Sequence, residues 1–469
     1  MHAPTPVDMI ENHTFDEISI GDTAHLTRTL RAEDIQLFAA MSGDVNPAHV
    51  DPDYAKDTQF HGIIAHGMWG AALISTVLGT EYPGPGAIYL GQSLRFMRPV
   101  HIGDTLDVRV TVTAKDEQNH HVTLDCHCTD QHGHDAITGS ALVLAPTEKV
   151  RRPRMAPLQV RMCDKTLRYH QLLARTTGLE PITMAVVHPC SEDALRGARE
   201  AADMGLICPI LVGPEDKIRA LAVAAGIDLD GCRIVPALHS HAAAAQAVAL
   251  VRNGEAQALM KGSLHTDELM AEVVKPGSGL RTERRVSHVY LVDVPSYPKP
   301  LLISDAAINI EPDLDAKRDI VQNAIDLAHA IGIAQPKVAI LAAVEVVNAK
   351  MQSTLDAAAL CKMADRGQIT GGLLDGPLAF DNAVSPQAVR DKGIVSPVAG
   401  QADILIAPNL EAGNMIAKQL QYLADAQVAG IVMGARVPVV LTSRADGTAA
   451  RIASCALALL LVRKPSSGV

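Results

Sequence analysis

Residues 62–78 read GIIAHGMWGAALISTVL, and this stretch decides how the N-terminal third folds. It is apolar on nearly every face of a helix, and a helix apolar all round is one buried all round. Four strand-like segments follow: Ile88 to Phe96, Thr105 to Ala114, His121 to Thr129 and Ala136 to Leu144. Each alternates partly and is set off by Gly, Asp, Gln or Asn turn residues. One buried helix followed by consecutive antiparallel strands predicts an α+β unit over residues 10–146, its sheet wrapped around the helix.

Outward from this unit the pattern changes twice. Residues 147–168 (TEKVRRPRMAPLQVRMCDKTLR) hold two prolines and six Arg or Lys between Lys149 and Lys165, with no clean period, and read as a solvated basic linker. From residue 169 to 469 short apolar strands alternate with Ala-rich helical runs. The strands are Thr183–Val187, Ile210–Val212, Ala258–Met260, Val338–Leu341, Ile404–Ala407 and Val437–Leu441; the helices include Ala242–Val251, Ile320–His329 and Met415–Ala424. That alternation predicts an open parallel α/β/α sheet with crossover helices, about 300 residues forming two lobes with a cleft between them.

Composition bounds the function. The 469 residues carry a net charge of -11 and only 3% aromatics, Trp69 being the sole tryptophan. Neither a nucleic-acid role nor an anionic membrane surface fits, because both require a basic footprint, and base-stacking modules need aromatics. A small anionic ligand needs only a local Arg or Lys cluster. The eight scattered cysteines form no Cys-x-x-Cys pair, and a chain this long needs no disulfide staples, so reduced thiols in a cytoplasm are expected. The start (MHAPTPVDMIENHTFDE) lacks an apolar signal region, and the apolar run Cys455–Val462 is far short of the roughly 18 residues of a membrane span.

Two chemical sites stand out. The first is Met41–Asp51, MSGDVNPAHVD, where Asp44 and His49 sit five residues apart in turn-forming sequence, with His66-Gly67 entering the helix beyond. An Asp and a His in one turn-rich segment can share a water, one acting as general base and the other orienting it. A helix N-terminus offers unpaired N–H groups to an oxygen that becomes negative. Ser42 and Asn46 hold the loop, and His61 and His66 read as structural companions. Seven His and Cys between His120 and His134 suggest metal, but in a strand Cys126 and Cys128 face one side and His127 the other, so no metal is expected.

The run SGDVNPAHVDPDYAKDTQFHGIIAHGM (Ser42–Met68), followed by LRFMRPVHIGDTL (Leu94–Leu106), resembles the MaoC-type (R)-specific enoyl-CoA hydratases, which have a hot-dog fold. The resemblance implies that Asp44 and His49 activate water and that the Gly67 amide holds the thioester oxygen. The implied reaction is reversible hydration of a trans-2-enoyl-CoA to the (R)-3-hydroxyacyl-CoA.

The second site is spread over three pieces. Met260-Lys261-Gly262 follows an apolar strand and leads to PGSGLRTERR (Pro276–Arg285), where Gly277 and Gly279 permit close backbone approach and Arg281, Arg284 and Arg285 supply cations. Neither a Walker A nor a Rossmann glycine motif is present. Then come DGPLAFDNA (Asp375–Ala383), which contributes Asn382, and VPVVLTSRAD (Val437–Asp446). The latter strand delivers Ser443, Arg444 and Asp446 at its carboxyl end, the edge where open α/β sheets bind ligands. Together with ADILIAPNLEAGN, these pieces resemble the phosphate acetyl/butyryltransferase family over residues 165–465. The resemblance implies a two-lobed fold that transfers an acyl group between CoA and inorganic phosphate. Arg281 and Arg444 would grip the phosphate, Ser443 would assist, and Lys261 and Asn382 would complete the binding set. The acetyl branch carries an Asp six residues after the Arg; here that position is Ala450, so Asp446 is the expected base, with Asp305, Glu311 or a substrate phosphate oxygen as alternatives.

The combination predicts a bifunctional acyl-CoA enzyme with CoA thioesters and phosphate as substrates and no tightly bound cofactor. The resemblances imply a homo-oligomer. The alternative keeps the transferase and makes the hot-dog unit a non-catalytic CoA-thioester-binding or assembly module. A decarboxylating dehydrogenase on a similar scaffold would need a cluster of metal-binding aspartates, and none is evident.

Overall fold

The computed structural model describes residues 8–155, 160, 166–442 and 446–463. The chain divides into two compact units between Cys163 and Asp164.

In the first unit, strand β1 (Met9–Glu11) pairs with β7 (Arg151–Pro153), tying the two ends of the unit together. Between them lie β2 (Thr23–Thr29), β3 (Ile88–Phe96), β4 (Thr105–Asp116), β5 (His121–Thr129) and β6 (Asp135–Leu144). These five form an antiparallel sheet in the order β2-β4-β5-β6-β3. Strict alternation decides which face is inside. Leu106, Val108, Val110 and Val112 of β4 are buried beside Val122, Leu124, Cys126 and Cys128 of β5, with Val108 opposite Cys128 and Val110 opposite Cys126. Each fully buried aliphatic side chain contributes roughly 1.5–3 kcal/mol, so these two strands alone anchor the unit. Helix Gly67–Thr76 lies across this face, continued by a wider turn over Val77–Glu81. The approach is close enough that a Cβ at Gly70 would collide with Ile137 Cδ1. This is a hot-dog fold.

The helix departs from expectation in two respects. It begins at Gly67, because residues 62–66 are not helical and Ile64 bridges to His101. It is also buried on one face only: Trp69, Gly70, Ala71 and Ile74 point inward, while Met68, Ala72, Ser75 and Thr76 are exposed. Small or flexible outward residues raise apolar content without demanding burial, which is why composition overstated it.

The second unit contains β8 (Ile182–Val187), β9 (Ile207–Gly213), β10 (Arg233–Pro236), β11 (Ala258–Lys261), β12 (Ser287–Asp293), β13 (Leu301–Ser304), β14 (Lys337–Leu341), β15 (Leu373–Leu378), β16 (Ile404–Ile406), β17 (Gln427–Met433) and β18 (Val439–Val440). They form one eleven-stranded sheet, β10-β9-β8-β11-β18-β17-β12-β13-β16-β14-β15, with helices packed against it. The expected parallel sheet is present as two parallel runs, β10 to β18 and β13 to β15. The centre is antiparallel, since β17 opposes β18 and β12, and β12 opposes β13. Three antiparallel steps reverse the polarity, so the carboxyl ends of the two runs leave the sheet from opposite edges. The apolar run Cys455–Val462 belongs to helix Thr448–Arg463, buried from Arg451 to Leu460. Among the described residues no helix is long and apolar enough to cross a membrane.

Candidate active sites

In the first unit local backbone chemistry builds the site. Gly43 ends helix Ala32–Ser42 in the left-handed conformation at φ 76°, donating its N–H to Ala39 O at 2.8 Å. Ser42 Oγ donates to Phe38 O at 2.7 Å and accepts from Asp44 N at 3.2 Å. Asn46 caps the short turn Pro47–Val50 by accepting from Ala48 N at 3.1 Å, and the Asn46 N–H donates to Asp44 Oδ1 at 3.2 Å. His49 rises from this turn, its Nδ1 donating to Ile64 O at 2.8 Å. A carbonyl can only accept, so Nδ1 carries the proton and Nε2 of the neutral ring is a free lone pair.

A carboxylate oxygen of Asp44, a ring nitrogen of His49 and one of His66 lie within 4.8 Å of one another. Beside them is a cavity of about 300 Å³ lined by His49, His66, Gly67, Trp69, Phe96 and Ile137. Gly67 is the first residue of its helix, where N–H groups have no partner in the preceding turn. His66 is 2% exposed; its Nε2 donates to the Asp44 main-chain carbonyl at 2.9 Å, and its ring centroid lies 4.0 Å from that of His49. The structural part expected of His66 from the sequence leaves out this contact, since one histidine at a helix start carries no pattern. Its signal was its place immediately before Gly67.

The His and Cys cluster divides by face. Cys126 and Cys128 are in the core, where burial pushes their thiols up to about 11 and about 12. His127 faces outward between Asp125 at 3.0 Å and Asp135 at 3.1 Å, and the bond from Asp135 raises its pKa.

In the second unit Ser443 and Arg444 lie outside the described residues. Asp446 is buried and accepts from Gln421 Nε2 at 3.1 Å. Its charge helps push Tyr290, already raised by burial, to about 12. Behind it His288 is fully enclosed, donating from Nε2 to Leu441 O at 3.3 Å, and burial pulls its pKa down. Of the alternative bases, Asp305 takes N–H donors from His288, Ala307, Ile308 and Asn309 at 3.0–3.3 Å and from Asn309 Nδ2 at 2.5 Å. A carboxylate so fully engaged by its own chain is a structural cap. Glu311 accepts from Asn409 Nδ2 at 3.2 Å on the surface.

The anion-binding set is dispersed. Lys261 is buried at the end of β11, whereas Asn382 follows β15, a strand of opposite polarity, so the two leave the sheet from opposite edges. Asn382 donates to Glu345 Oε2 at 3.3 Å. Arg281 is exposed, its backbone bridged to Ala435, and among the described residues its guanidinium has no ion pair. Arg284 instead pairs with Asp326, and Arg285 Nε donates to Asn309 Oδ1 at 2.8 Å. Gly279 uses its missing side chain to pass the chain's own Val273 and Lys275 carbonyls. The antiparallel centre of the sheet thus puts Lys261 and the carboxyl end of β18 at one edge and Asn382 at the other. A cavity of about 770 Å³ opens where helix Thr448–Arg463 begins, lined by Leu172, Leu291, Ile331, Val428 and Ala450 and bounded by the Arg168–Asp293 and Lys299–Asp403 pairs.

Comparison with known proteins agrees with both halves. Residues 240–459 match the family model for phosphate acetyl/butaryl transferase, and residues 19–130 match that of the MaoC like domain. A phosphate acetyltransferase of Rhizobium meliloti is 62% identical over 293 residues, 62% of this chain and 93% of its own length. The crystal structure of a branched-chain phosphotransacylase from Enterococcus faecalis is 31% identical, covering 60% of this chain and 99% of that one with a TM-score of 0.53. An R-hydratase from Pseudomonas aeruginosa is 41% identical and covers 33% of this chain and 99% of its own, with a TM-score of 0.32. With a MaoC-like domain at its N-terminus, the chain belongs to the phosphate acetyl/butyryltransferase family.

Proposed function

We propose that the chain is a bifunctional acyl-CoA enzyme. The first unit hydrates trans-2-enoyl-CoA to (R)-3-hydroxyacyl-CoA; the second exchanges an acyl group between CoA and inorganic phosphate. The observation that carries the first reading is the gathering of Asp44, His49 and His66 within 4.8 Å at the lip of a cavity whose wall includes Gly67.

The chemistry follows from the protonation pattern. With Nδ1–H committed to Ile64 O, His49 Nε2 is free to take a proton from water while an Asp44 oxygen holds the other hydrogen. The water oxygen bonds to the β-carbon, and the π electrons move toward the thioester oxygen, where the Gly67 N–H receives the developing charge. The proton held by His49 then returns to the α-carbon, so water is added and nothing else is consumed.

In the second unit a phosphate oxygen attacks the acyl carbonyl and the C–S bond breaks, releasing CoA as a thiolate. Arg281 and Arg444 grip the phosphate, Ser443 assists, and Asp446 takes the thiol proton in the reverse direction. Lys261, on the same sheet edge as the carboxyl end of β18, serves binding rather than chemistry, whereas Asn382 is bonded to Glu345 at the other edge and stands apart from this set. A homo-oligomer fits the unpaired outer edge of β3, where Ile88, Leu90 and Phe96 are exposed. The test is loss of the conjugated absorbance of crotonyl-CoA, run beside phosphate-dependent thiol release from acetyl- and butyryl-CoA. A chain that releases thiol but leaves crotonyl-CoA untouched would make the first unit a binding module.

A further inference from the structure

We propose that His66 is the positioning residue of the hydration site, a role that rests on the hydratase reading above. Asp44 and His49 stand on a surface turn, and Asp44 itself is exposed, so something beneath must hold them. His66 touches all three parts of the site. Its Nε2–H is bonded to the Asp44 carbonyl at 2.9 Å, its ring stacks at 4.0 Å and 34° on that of His49, and its backbone immediately precedes Gly67. Phe38 closes the other side at 4.9 Å. One buried imidazole therefore couples the carboxylate loop, the base and the oxyanion donor.

The unpaired atom strengthens the case. His66 Nδ1 is buried with no hydrogen-bond partner among the described residues. Leaving a buried polar atom unsatisfied costs about 1–3 kcal/mol, and an apolar residue of similar size would fill the space without that cost. The bond the ring does make, from Nε2, runs to the loop of Asp44. In this role His66 sets where Asp44 and His49 stand.

The test compares three substitutions in the full chain by crotonyl-CoA hydration. His66→Ala is expected to lower kcat about 10- to 100-fold with KM unchanged, because misplacing the dyad by about 1 Å costs that much without weakening substrate binding. His66→Gln, whose amide N–H reaches the Nε2 position, should recover most of the loss. His66→Asn, whose amide sits at the Nδ1 position, should not. Thiol release from acetyl-CoA by the second unit is expected to stay at the wild-type rate in all three. A wild-type kcat in His66→Ala, a loss confined to KM, or rescue by Asn and not by Gln overturns the proposal. If His66→Ala unfolds the first unit, the Gln and Asn pair decides alone. Absence of hydration by the wild type removes the hydratase reading and this role with it, an outcome distinct from an active wild type with indifferent variants.

Discussion

His49→Ala is the perturbation whose size follows most directly from the geometry. The substitution removes the Nε2 lone pair that the Nδ1–Ile64 bond leaves free. Losing a positioned general base costs about 10²- to 10⁴-fold in rate. At about 1.36 kcal/mol per decade this is a barrier increase of about 3–5 kcal/mol. The folding cost is far smaller: one hydrogen bond of about 1 kcal/mol from a partly exposed side chain, against the 5–15 kcal/mol typical of a domain. The variant should therefore stay folded. The assay follows the fall in conjugated thioester absorbance of crotonyl-CoA, with thiol release from acetyl-CoA and phosphate as internal control. Hydration should drop by at least two decades while thiol release is unchanged. Hydration at the wild-type rate refutes the reasoning, because it would show that the proton transfer does not pass through His49.

Three further outcomes are expected. Asp305→Ala strands five N–H donors at the end of β13, and at about 1.5–3 kcal/mol per charge-assisted bond, discounted for non-additivity, it should destabilise the second unit by at least about 3 kcal/mol in a denaturant melt. A melt that does not move would show the cap is dispensable. His127, raised from 6.5 chiefly by Asp135, stabilises the folded first unit fully below that value and loses the contribution as pH rises through its elevated folded pKa. Wild type should therefore exceed His127→Gln in melting temperature more at pH 6 than at pH 9, and the opposite trend would contradict the ion pairs. Leu90→Arg, on the open edge of β3, should lower the mass measured by light scattering; an unchanged mass removes that edge from the assembly.

Much of the architecture was readable because exposure and burial alternate along it. The limits of β5 coincide with the segment expected at His121–Thr129, since burial alternates along it; those of β3 coincide with Ile88–Phe96 although that strand is exposed or half-buried throughout. The centre of the large sheet was not readable. Five of the seven residues of β17 and five of the seven of β12 are buried, on both faces, so no alternation marks them, and β12 places Ser287, His288 and Asp293 among its apolar residues. Missing β12, β13 and β17 meant missing the reversal of polarity that separates Lys261 from Asn382. At the first site, spacing singled out Asp44 and His49 as candidates, and the resemblance supplied their roles. The part played by His66 depends on a contact 22 residues away in sequence, which no local pattern carries. At the second site, charge flagged Arg281, Arg284 and Arg285 alike, and the fold distinguishes the two engaged with acidic or amide partners from the one without an ion pair among the described residues.

The central claim is that one chain performs both reactions. The deciding measurement is the rate of crotonyl-CoA hydration by the intact protein, with the stereochemistry of the product determined on a chiral column. The expected result is (R)-3-hydroxybutyryl-CoA, formed at a rate that phosphate does not alter. No product, or the (S) isomer, would contradict it.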